Sequence, residues 1–253
     1  MAGLQDINSA LIVGAGGGIG LALVRRLIQD VPECKVFATL RNPTNSQQLA
    51  ELQKSNPDRL FLIGLDAGKD SDYENLFREI KTRAPKIDLL INCIGFLHDN
   101  QSMPEKRLSD VTVENLYKAF TANSLPVVLL AKHLFPLFKN QELAAFVSLS
   151  ARVGSISDNR SGGWYSYRST KSAHNMFIKN IALEMERFRC HTVVAALHPG
   201  TTKTRLSAPF IANTKYQLHE PDGAARNILA VVLGLTMKDS GGFFDWKGEK
   251  IPW

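Results

Sequence analysis

Short apolar runs alternate with amphipathic stretches along the whole chain, and this alternation restricts the fold more than any other feature. Residues 10–13, 36–40, 60–65, 87–94, 144–149, 192–197 and 242–244 read as strands. Between them, residues 19–29, 46–54, 71–82, 113–138, 166–188 and 222–235 carry apolar positions at helical spacing. Strands that are apolar on both faces and separated by helices belong in a parallel sheet covered on each side. Right-handed crossovers then favour a doubly wound α/β arrangement of about seven mostly parallel strands. In such sheets ligands bind beyond the carboxyl ends of the strands, so functional motifs should directly follow strands.

With 253 residues, 44% of them hydrophobic, the chain can bury a large core. It shows no repeat, low-complexity tract or linker, so a single domain over residues 1–253 is expected. The formal net charge is +6, but the basic residues are dispersed. That pattern argues against a nucleic-acid footprint, which should be clustered, and suits an anionic small molecule. No apolar run approaches the ~20 residues that span a bilayer, and the opening MAGLQDINSA lacks a signal-peptide layout. Cys34, Cys93 and Cys190 have no paired spacing, which together with those absences makes a cytoplasmic location the expectation. His98, His133, His191, His198 and His219 show no metal-ligand spacing, and no metal is expected.

The first strand runs directly into Gly14-Ala15-Gly16-Gly17-Gly18-Ile19-Gly20 and then a helix. Glycines let a backbone turn tightly and approach a pyrophosphate, whose charge meets free N–H groups at the helix start. The GxGxxG spacing fails because position 19 is Ile19, whereas GxxxGxG is met by Gly14, Gly18 and Gly20. A glycine-rich turn without a ligand would read the same way. The acid that would hold an NAD ribose about 20 residues further on is missing; instead Arg41 follows the second strand. A guanidinium there suits a 2′-phosphate, which favours NADP over NAD. Asp66, after the third strand, could accept from an adenine amino group or cap the next helix.

Tyr167-Arg168-Ser169-Thr170-Lys171 opens a periodic helix whose Ala173, Phe177, Ile181 and Met185 should face inward. One turn separates the tyrosine from the lysine, so they share a face. A phenol with a pKa of about 10 is a slow acid-base catalyst at neutral pH. An ammonium about 4 Å away at an effective dielectric of ~20 offers roughly 4 kcal/mol, enough to lower that value by up to about three units. Tyr165 has Ser169 rather than a lysine four residues on and is the poorer candidate.

Together these elements resemble the short-chain dehydrogenase/reductase family over nearly the whole chain, and within it the C-factor/sniffer-like carbonyl reductases. Asn92-Cys93-Ile94-Gly95 is similar to the family's NNAG element. Asn123, Tyr167 and Lys171 match its catalytic Asn, Tyr and Lys, and Pro199-Gly200 with Thr202 resembles the segment over the nicotinamide. The resemblance implies a Rossmann-like fold and hydride transfer between NADP(H) and a carbonyl or secondary alcohol. Tyr167 would move the proton, Lys171 would lower the phenol pKa and hold the ribose, and Asn123 would anchor a water. Gly14, Gly16, Gly18, Ile19, Gly20, Arg41, Asp66, Asn92, Gly95, Tyr167, Lys171, Pro199, Gly200 and Thr202 would bind the cofactor. A C-factor-type signalling protein with little turnover is the alternative.

Two departures stand out. The family's substrate-binding serine falls at Ala151, leaving the neighbouring Ser150 as the candidate, and Val13 replaces a frequent threonine behind the glycine loop. Pro126 has no N–H to give the Ala122 carbonyl, so the long helix should bend near Asn123. Trp164, Tyr165 and Phe96 could line the substrate mouth, with a lid at 201–220. His198 reads as a wall residue and Cys93 as packing. Residues 125–138 are apolar on most of their circumference and need cover beyond the sheet, which, with the resemblance, makes a homodimer or homotetramer plausible.

Overall fold

The computed structural model describes residues 6–139, 142–212 and 216–253. Its elements follow in the order β1 (Ser9–Val13), α1 (Gly18–Asp30), β2 (Lys35–Leu40), α2 (Gln47–Ser55), β3 (Leu60–Gly64), α3 (Asp70–Lys81), β4 (Leu89–Asn92), α4 (Val113–Asn123) and α5 (Leu125–Phe138). Then come β5 (Ala144–Leu149), α6 (Tyr165–Arg187), β6 (Thr192–His198), β7 (Thr201–Thr202), β8 (Leu218–His219), α7 (Pro221–Gly234) and β9 (Gly242–Asp245). Seven strands form one parallel sheet in the order β3-β2-β1-β4-β5-β6-β9. The order reverses between β1 and β4, which opens a crevice at their carboxyl ends.

Strand alternation splits the core into two layers. Ala10 and Ile12 of β1 face a cluster with Leu23 and Leu27 of α1, Leu49 of α2 and Ile228 of α7. Leu11 and Val13 face the other, with Tyr73 and Leu76 of α3, Leu130 and Leu134 of α5 and Ile178 of α6. Both faces of each central strand are therefore dry, which is why those strands read as unbroken apolar runs. α5 finds its cover within the chain, against α3, α4 and α6, and none of its large apolar side chains is exposed. Among the described residues no helix is long and apolar enough to cross a membrane.

Three departures from the expected pattern have local causes. β4 stops at Asn92 rather than running to residue 94, because the Asn92 Oδ1 accepts from the Ile94 N–H at 3.1 Å and turns the chain. The long helix over 113–138 divides completely at Ser124, in keeping with the lost donor at Pro126. α6 departs in part from the face expected of it: Ile181 and Met185 are buried as expected, but Ala173 and Phe177 are only half-buried, and His174, Asn175, Ile178 and Ala182 are buried instead. Polar residues occupy part of the inward face there, and an apolar count cannot register them. The pair β7–β8, a two-stranded parallel ladder beyond β6, had no apolar signal of its own.

α1 can begin where it does only because Gly20 has no side chain. A Cβ at that position would lie 2.4 Å from the Gly14 carbonyl oxygen. Gly17 faces open space by the same measure. Gly20→Ala should therefore destabilise the domain by about 1–3 kcal/mol, read as a Tm decrease of roughly 3–10 °C. Gly17→Ala should leave Tm nearly unchanged, and equal Tm values for the two variants would contradict this packing account.

Candidate active site

A cleft of about 400 Å³ lies at the carboxyl edge of the sheet, between the glycine loop, the ends of β4, β5 and β6, the start of α6 and the segment after Pro199. Its floor is the turn from β1 into α1. Gly14 sits at φ +82°, and a Cβ there would meet the Ile94 main chain at 3.1 Å, so the loop presses against the end of β4. The Gly14 N–H donates to Thr39 Oγ1 at 3.2 Å and the Ala15 N–H to the Thr39 carbonyl at 2.7 Å. Thr39, buried in β2, thus supplies from the adjacent strand the hydroxyl that Val13 cannot. Gly16, Gly18, Ile19 and Gly20 line the cleft as expected. Beyond the loop, Gly16 and Gly17 have no close neighbour other than the Leu40 side chain, at 3.6 Å from a Cβ on Gly16.

Arg41, next after Leu40, is exposed and makes no ion pair with any described residue. Asp66 turns the chain after β3 and does not cap α3. Its Oδ1 accepts from the Gly68 N–H at 3.0 Å, and the residue preceding α3 is Lys69. Asn92 is buried and lies outside the cleft lining. Its Nδ2 donates to Ser148 Oγ at 2.9 Å and its Oδ1 orients Ile94, so it shapes the path to Gly95, which does line the cleft. Pro199, Gly200 and Thr202 line the opposite wall together with Thr204, Arg205 and Leu206. Thr204 approaches the glycine loop closely: a Cβ on Gly18 would touch its side chain at 3.0 Å. Arg205 is a cation that no motif singled out. The lid expected at 201–220 includes residues 213–215, which lie outside the described residues.

Tyr167 and Lys171 both line the cleft. Burial pushes the Tyr167 phenol up to about 12 and the Lys171 ammonium down to about 8. The downward shift expected for the phenol is thus absent here. The lysine Nζ donates to the Leu149 carbonyl at 2.9 Å, and desolvation dominates at the tyrosine. At neutral pH the arrangement holds a protonated phenol next to a charged ammonium. Cys93, beside Lys171, is pushed up to about 12 by burial and stays a thiol. His198, in the wall, is pushed down to about 4, again by burial, and its Nδ1 has no partner.

Asn123 closes α4 and knots three segments. Its Oδ1 accepts from the Phe96 N–H at 2.7 Å, and its Nδ2 donates to the Phe96 carbonyl at 2.9 Å and to Thr170 Oγ1 at 3.1 Å. Its main-chain carbonyl accepts from His174 Nδ1 at 2.9 Å. Ser150 and Ala151 both line the cleft, and the Ser150 hydroxyl donates to Asn175 Oδ1 at 2.6 Å. Asn175 is two turns past Tyr167 on the same face of α6, a partnership invisible to local spacing.

The entrance beside Tyr167 is aromatic. Trp164 adopts a left-handed conformation (φ +51°) just before α6, its N–H bonded to the Glu105 carbonyl at 2.6 Å. The buried Glu105 carboxylate receives the Ser166 N–H at 3.1 Å and the Ser166 hydroxyl, serving the helix start from a distant loop. The Trp164 ring meets Tyr167 edge-on at 6.1 Å and Phe210 of the segment after β7 at 5.1 Å. Phe96 borders a small adjoining cavity with Tyr167, whereas Tyr165 is exposed.

Comparison with known proteins agrees with this architecture. The sequence profile described as short chain dehydrogenase matches residues 8–215. The C-signal of Myxococcus xanthus is 32% identical over 167 residues, covering 66% of this chain and 93% of that protein. The carbonyl reductase Sniffer of D. melanogaster superposes with a TM-score of 0.85 at 27% identity, covering 98% of this chain and all of that one. An NADPH-bound carbonyl reductase from chicken fatty liver gives 0.85 at 26% identity, covering 98% and 94% of the two chains. The chain belongs to the short chain dehydrogenase family and is an NAD(P)-dependent oxidoreductase of that family.

Proposed function

We propose that the protein reduces a small carbonyl compound with NADPH, and that Tyr167 delivers the proton to the carbonyl oxygen. The observation that carries this reading is the placement of Tyr167 and Lys171, one turn apart on α6, in one cleft with the glycine loop. The phenol holds its proton at neutral pH, so it can hand that proton on as hydride adds to the carbonyl carbon. Two features support NADP(H) as the cofactor. The glycine loop leaves open space where a pyrophosphate would approach main-chain N–H groups. Arg41 stands at the end of β2 without an ion-pair partner among the described residues, ready for a 2′-phosphate. The carbonyl reductase of known structure that is bound to NADPH has the same fold. When bound, the cofactor supplies the hydride.

The chain's own residues then divide the remaining work. The loop from Gly14 to Gly20 and Arg41 bind the phosphates. Lys171 holds positive charge in the cleft, and Tyr167 gives up its proton as negative charge grows on the substrate oxygen. Asn123 fixes the loop carrying Gly95 against α6. Trp164, edge-on to Tyr167 and to Phe210, would offer an apolar surface to a substituent on the substrate.

One observation favours a second reading, a protein that binds the cofactor but turns over little. Position 151 is alanine, and the Ser150 hydroxyl spends its proton on Asn175. The two readings separate on NADPH consumption at 340 nm with a panel of ketones, aldehydes and quinones. Turnover that is lost in Tyr167→Phe with NADPH binding intact is the expected result; tight NADPH binding without any turnover would favour the second reading.

Two further outcomes are expected. Arg41→Ala should weaken NADPH by roughly tenfold or more, the worth of a charge-assisted hydrogen bond, and NADH hardly at all. Equal loss for both in a binding titration would contradict NADP preference. Because the lowered Lys171 pKa means its charge disappears as pH rises, kcat/KM for reduction should fall above about pH 8. A profile flat to pH 10 would contradict the need for that charge.

A further inference from the structure

One buried titratable side chain beside the pair has no part in the chemistry so far. His174 lies three residues past Lys171 on α6 and is completely buried. Its Nδ1 is 2.9 Å from the Asn123 carbonyl oxygen. A carbonyl can only accept, so Nδ1 carries the proton. Burial, and secondarily the Lys171 ammonium, pushes the imidazole down to about 3, which keeps it neutral. Nε2 is then a lone pair, buried and without a well-formed hydrogen bond, although the Ser148 main chain lies near enough to the ring to act on it. An orphaned polar atom in a core is costly, and a leucine would fill the space without that penalty. Such a group calls for a compensating role.

The role lies in what Asn123 holds. α6 grips this residue twice: Thr170 Oγ1 accepts from its side chain, and His174 donates to its main chain. Thr170 and His174 are one turn apart and flank Lys171. Asn123 is the last residue of α4, where the helix has stopped, so no continuing helix fixes its peptide plane. Its side chain in turn clamps both main-chain groups of Phe96, one residue beyond Gly95 in the cleft wall.

We propose that His174 is a positioning residue: its Nδ1–H on the Asn123 carbonyl sets the Asn123 side chain, and through it the loop after β4, against the catalytic face of α6. The kinetic consequence rests on the proposed reduction, whereas the structural consequence does not. Two variants test it, His174→Leu, which keeps the volume but removes the donor, and His174→Asn, whose Nδ2 restores a donor near the Nδ1 position.

Hydrogen exchange of the segment containing the Phe96 amide reads the loop directly. It should quicken about tenfold or more in His174→Leu, the loss expected of one buried hydrogen bond, and return toward wild type in His174→Asn. In the same variants kcat should fall by about ten- to a hundredfold with KM for NADPH near wild type, as expected for misplaced reacting groups, and the asparagine should recover most of it. Unchanged exchange and kcat in His174→Leu would overturn the proposal. So would equal damage in both variants, which would mean that the ring only fills space. If the wild type reduces no carbonyl, the proposed function falls while the exchange measurement still decides the role of His174. If His174→Leu does not fold, 15N NMR of the wild-type histidines decides: a proton on Nδ1 of His174 is expected, and the Nε2–H tautomer would overturn the assignment.

Discussion

The geometry of this site depends on an interrupted helix. Pro126 takes a donor out of the fourth and fifth helices, the chain breaks at Ser124, and the freed Asn123 becomes a hub for groups far apart in sequence. In a continuous helix the Asn123 carbonyl would accept from the next turn instead of from His174. The break gives α6 a fixed partner at the carboxyl edge of the sheet. Ser124 reinforces it, donating its hydroxyl to the Thr170 carbonyl at 2.8 Å.

Electrostatics at the site follow from burial more than from pairing. The phenol is raised and the ammonium lowered, because each neutral form is easier to keep away from water than its ion. The expectation that the lysine would lower the tyrosine rested on a short separation and a moderate dielectric. In the structure the lysine Nζ is bonded to the Leu149 carbonyl, and desolvation prevails at the phenol. The consequence is that the phenol and the ammonium both keep their protons at neutral pH in the cleft.

The fold was legible because its signals are local. Apolar runs mark the strands, helical spacing marks the helices, and the glycine spacing marks the first crossover. Tyr167 and Lys171 were legible for the same reason, since four residues on a helix is a spatial statement in itself. What stayed hidden involves partners distant along the chain. Thr39 compensates for Val13 from the next strand, Glu105 secures the start of the sixth helix from a loop 61 residues away, and Asn175 takes the proton of Ser150. His174 belongs with them: a histidine in an otherwise apolar helix carries no spacing signal. The half-buried Ala173 and Phe177 have the same origin, because the inward face of the sixth helix is partly polar there.

The central claim is that a dinucleotide enters the cleft with its reactive ring beside the Tyr167 hydroxyl. A crystal structure of the protein with NADP+ measures this directly. The account predicts the adenosine 2′-phosphate at Arg41, the pyrophosphate over the loop from Gly14 to Gly20, the ribose at Lys171, and the nicotinamide between Pro199 and the Tyr167 hydroxyl. A nicotinamide bound elsewhere, or a Tyr167 hydroxyl turned away from it, would contradict the account.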